Sequence, residues 1–81
     1  MTLFFETIKT LNNDQKVAAV TTYGDELTAA QFFHMNMMNS ISAIRNGEMK
    51  AIYANIHTES GVILQQERRV MPEPAPTPEG E

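Results

Sequence analysis

The side chains suited to a reactive or metal-binding centre are few and scattered: His34 and His57, Ser60 within Glu59-Ser60-Gly61, and the neighbouring acids Asp25 and Glu26. A helical metal site wants ligands three or four residues apart on one face, and neither histidine has a second histidine at that spacing. A serine nucleophile sits on a sharp glycine-flanked turn with a base and an orienting acid nearby, whereas Ser60 has only Gly61 beside it and reads as a turn residue. Adjacent acids in a turn are ordinarily solvated. The glycines at 24, 47, 61 and 80 stand alone, so no phosphate-cradling loop is present. Without cysteine there is no thiol nucleophile, iron–sulfur ligand set, cysteine-based zinc site or disulfide. The expectation is a chain with no catalytic residue, no cofactor, no metal and no small-molecule substrate.

Charge narrows the partners. Ten acids against six Lys and Arg give a net charge of −4. Glu73, Glu79 and Glu81 lie near the C-terminus, which leaves six basic and seven acidic residues in 1–70. Such a near-neutral body has neither the dense negative field of a nucleic-acid mimic nor the basic field of a nucleic-acid binder. The one basic hint is Arg68 and Arg69 with Lys50 and Arg45, diluted by Glu48, Glu59 and Glu67. The start, Met1 to Glu6, lacks the basic region of a signal peptide, and no apolar run approaches the length of a membrane span. A cytoplasmic protein is expected, or one of the virion or host cytoplasm if viral.

These side chains need elements to carry them. Leu3, Phe4, Ile8 and Leu11 recur at helical spacing behind Thr2, which predicts a first helix ended by Asn12-Asn13-Asp14. Lys16 to Tyr23 is rich in β-branched residues and predicts a strand, with a helical alternative left open by its alanines. Thr28-Ala29-Ala30-Gln31 fits a capping box, with Leu27 and Phe32 as a hydrophobic staple, and Gly47 closes a helix over about 29–46. Met49 to His57 and Val62 to Val70 form a hairpin around Thr58-Glu59-Ser60-Gly61. Pro72, Pro74, Pro76 and Pro78 alternate in a tail expected to be extended. The fold class is therefore α+β: helix, strand, long helix and β-hairpin, a small antiparallel sheet of about three strands covered by helices. A single domain occupies 1–70 and a Pro/Glu-rich tail 71–81.

The long helix carries more apolar surface than a small sheet can cover. Ala30, Phe33, Met37, Ile41 and Ile44 make one stripe toward the sheet, while Phe32, Met35 and Met38, with Ser42, point elsewhere. Either the first helix covers the second stripe or a partner does. About seventy residues without a disulfide build a thin core, for which oligomerisation is a common remedy. The expected function is a protein-binding or assembly subunit, a small viral or phage assembly component among the options, self-associating through Phe32, Met35, Met38 and Ser42. A secondary surface comprises Tyr53, Arg68, Arg69 and the four prolines. The alternative is a small regulator or inhibitor that binds a larger enzyme or nucleic-acid machine through the hairpin edge and acidic tail.

Overall fold

The computed structural model describes residues 2–71. It contains β1 (Leu3–Leu11), β2 (Lys16–Tyr23), α1 (Glu26–Arg45), β3 (Met49–Thr58) and β4 (Ile63–Val70). The strands form one antiparallel sheet in the order β2-β1-β3-β4. Two hairpins are thus joined by a helix that crosses back over the sheet and brings β3 beside β1.

The expected first helix is a strand. Leu3, Phe5 and Thr7 are buried beneath α1, while Phe4, Glu6 and Ile8 emerge on the opposite face. Their period is two, and the helical spacing of Leu3, Phe4, Ile8 and Leu11 is incidental to it. Aromatic and β-branched residues fill most of the segment, and pairing on both edges, to β2 and β3, settles the conformation. Among the described residues the sheet accordingly has four strands rather than three, and one helix covers it rather than two. Asn12-Asn13-Asp14 ends β1 as expected, but as a hairpin turn: Asp14 takes φ 68°, and its N–H donates to the Leu11 carbonyl at 3.0 Å.

The helix begins one turn before the expected capping box. Asp25 is the N-cap, its carboxylate accepting both the Thr28 N–H and the Thr28 hydroxyl at 2.8 Å. With Asp25 in that role, Leu27 falls on the first turn and is 80% exposed, so the Leu27–Phe32 staple does not form. The C-terminus follows expectation. Gly47 has φ +79°, the Glu48 N–H reaches the Ala43 carbonyl at 2.9 Å and the Gly47 N–H that of Ile44 at 3.1 Å, which is the Schellman pattern. Gly61, at φ +89°, likewise closes the β3–β4 turn.

The cap makes stability pH-dependent. The Thr28 hydroxyl first, and the Thr28 N–H second, hold the Asp25 carboxyl below its ordinary value of 3.8. Its contribution is therefore complete above 3.8 and is lost as pH falls through the lower folded value. Asp25→Ala is expected to melt below the wild type at about pH 6, and the gap should close in strong acid. Parallel melting curves at both pH values check this.

The core lies between α1 and the central strands. Ala29, Phe33, Met37, Ser40 and Ile44 of the helix face Leu3, Phe5, Ile52, Ala54 and Ile56. Ala29 and Ser40 replace Ala30 and Ile41 in the expected stripe, because small residues let the helix approach the sheet while Ile41 sits at its rim. The helix rides mainly on β3, leaving the edge strands exposed: from Lys16 to Thr22 every residue of β2 is exposed.

Candidate interaction surfaces

At 100° per residue, the side of α1 opposite the core carries Leu27, Gln31, Met35, Met38, Ser42 and Arg45. All are exposed, Met38 at 63%. Phe32 is exposed as well, but on the flank over β2, where its ring stacks on Tyr23 at 5.4 Å and 13°. The opposite flank meets β4, through His34 and Gln65 at 3.2 Å. Of the four residues expected to form one surface, Met35, Met38 and Ser42 therefore share a face, and Phe32 stands beside it. Because segment 3–11 is a strand under the helix, no other helix among the described residues covers this face.

The sheet face turned away from α1 holds a polar cluster that sequence reasoning missed. The Asn55 amide donates to Glu6 Oε1 at 3.0 Å and to the Tyr53 hydroxyl at 3.3 Å. Its Oδ1 is then the atom facing His57 Nδ1 at 2.6 Å, and since an amide oxygen only accepts, the His57 proton lies on Nδ1. Tyr53 donates in turn to Gln66 Oε1 at 3.1 Å, and Phe4 stacks on the His57 ring at 5.3 Å. Asn55 is left only 5% exposed, although it faces away from the core. Its one sequence signal is an asparagine between aromatic residues in an alternating strand. The cluster is internally satisfied: no buried side-chain nitrogen or oxygen among the described residues lacks a partner.

The secondary residues disperse. Tyr53 and Arg68 are opposite one another on the open face. Arg69 lies on the helix side, held by Glu67 at 2.8 Å, and Lys50 is held by Asp14 at 2.7 Å. Arg45 and Arg69 meet at a groove of about 610 Å³ between the C-terminal ends of α1 and β4, floored by Ile41, Ile44, Val70 and Met71. Arg68, Lys50 and the Arg45–Arg69 pair thus fall on three separate surfaces and do not make one phosphate-binding stripe. Pro72, Pro74, Pro76 and Pro78 lie outside the described residues.

Among the described residues no group of three or more His, Asp or Glu side chains converges as a metal site, and no helix is long and apolar enough to cross a membrane. Compared with known proteins, the chain matches no family model, no curated protein and no solved structure.

Proposed function

We propose that the chain is a non-enzymatic assembly subunit that self-associates through the outer face of α1. The observation that carries this reading is Leu27, Met35 and Met38 standing exposed along one side of a helix that no second helix among the described residues covers. The face is complementary to itself. When a second copy lies antiparallel across a two-fold axis between Met35 and Met38, Met35 opposes Met38 of the other copy and Gln31 opposes Ser42. An apolar, adaptable methionine centre is then flanked by polar pairs able to hydrogen-bond. The same arrangement runs the two helix dipoles in opposition. Burial of this face adds apolar area to a body with a thin core.

Sedimentation velocity over a wide concentration range tests the reading. The wild type should associate, and Met35→Glu with Met38→Glu should weaken the association at least about 100-fold, because four carboxylates then meet at the axis. An unchanged mass in the double variant, or a monomeric wild type throughout, sinks it.

A further inference from the structure

The two edges of the sheet are not equivalent. Edge strands are ordinarily guarded against pairing by charges, prolines or bulges. β4 is guarded: it carries Glu67, Arg68 and Arg69, and its register with β3 shifts between Ile56 and His57. β2, Lys-Val-Ala-Ala-Val-Thr-Thr-Tyr, has no proline, no irregularity in its pairing with β1, and one charge, at its first residue. Val17 and Val20, on opposite faces, are 43% and 57% exposed.

The hydrogen-bond phase shows which backbone groups are free. The Leu11 N–H donates to the Gln15 carbonyl at 2.8 Å, so Gln15 and, at every second residue, Val17, Ala19, Thr21 and Tyr23 turn their main-chain groups toward β1. Lys16, Ala18, Val20 and Thr22 turn theirs outward.

We infer that the β2 edge is a second self-association surface, at which β2 of another copy adds antiparallel to form a continuous eight-stranded sheet. Antiparallel addition pairs outward residues with outward residues. The register that uses all four places Lys16 against Thr22 and Ala18 against Val20 about a two-fold axis at Ala19, giving about eight main-chain hydrogen bonds. A parallel copy would instead set Lys16 beside Lys16. Across the new seam alanine meets valine on the open face, and Val17 meets Thr21 on the helix side, so small and branched side chains alternate without a clash. This rests on the assembly reading and deepens it: a chain with two different self-complementary surfaces grows beyond a dimer, to a closed tetramer or an open chain depending on how the axes meet.

Ala18→Pro tests the edge, because it deletes an outward N–H and places the ring where the second copy would pair, while every bond to β1 remains. Val20→Lys is the second variant; it keeps all backbone donors and adds a charge to each side of the seam. Sedimentation velocity is run on the wild type, on both edge variants, on Met35→Glu with Met38→Glu, and on the combination. The expected series is wild type larger than a dimer, each single-surface variant stopping at a dimer, and the combination monomeric. Edge variants that keep the wild-type mass overturn the edge surface and leave the helix surface standing. A helix variant that keeps the wild-type mass, with edge variants that lose it, overturns the helix surface alone. A monomeric wild type overturns both. If Ala18→Pro loses its circular dichroism, the Val20→Lys mass decides.

Discussion

Phe33→Ala should leave the chain largely unfolded at room temperature. Phe33 is fully buried at the centre of the helix–sheet contact, with the Phe5 ring 5.9 Å from its own at 56° and the His34 ring against its edge. Truncation removes the transfer free energy of a benzyl group and leaves a cavity that a rigid sheet on one side cannot collapse to fill. Such changes cost about 3–5 kcal/mol. A small domain without disulfides has a total stability of about that size. Urea titration followed by circular dichroism should show the midpoint falling to near zero denaturant, with an unchanged slope wherever a transition is still measurable. A loss below about 1 kcal/mol would mean that α1 does not sit on β1 and β3 through this residue.

The second strong effect distinguishes strand from helix over residues 3–11. As a helix, that segment would turn Phe4 inward with Leu3, Ile8 and Leu11; as β1, it buries Phe5 with Leu3 and Thr7. Phe5 is 5% exposed and touches both Phe33 and Tyr23, whereas Phe4 lies half-buried on the open face against His57. Phe5→Ala should therefore cost about 3–4 kcal/mol and Phe4→Ala about 1 kcal/mol. The reverse order, measured by the same titration, would restore the helix.

The contrast between Phe4 and Phe5 marks the limit of what local pattern reveals. α1 was legible because its signals are local: apolar residues at three and four, a basic last turn, and Gly47 where the left-handed residue must fall. β2 and the β3–β4 hairpin were legible for the same reason, through β-branched runs bounded by Gly24 and Gly61. β1 fits both periods over nine residues, and what decides between them, Ile56 and Ala54 opposite Phe5 and Thr7, lies about fifty positions away in sequence. With that segment a strand, the first of the two expected covers for Met35 and Met38 falls away. The N-cap moved for a subtler reason. Asp25 and Thr28 both suit a cap, and the two side chains cooperate, with Thr28 donating to Asp25.

The Asn55 cluster was not legible, because its members come from β1, β3 and β4 and no spacing in the chain links Glu6 to Gln66. The outer helix face was legible as a surplus of apolar residues, although Phe32 belongs to the flank over Tyr23. The β2 edge emerged only from hydrogen-bond phase. β2 lacks the charges, proline or bulge that would mark it as an edge strand in the sequence.

The chain contains no cysteine, so a single introduced thiol reports contact between copies without interference. Met35→Cys places that thiol beside the proposed helix axis, and Ser60→Cys, in the exposed β3–β4 turn, serves as the comparison. After mild oxidation at low micromolar concentration, non-reducing electrophoresis should show Met35→Cys as a disulfide-linked dimer and Ser60→Cys as a monomer. Equal, slow cross-linking of the two variants would contradict pairing through the outer face of α1.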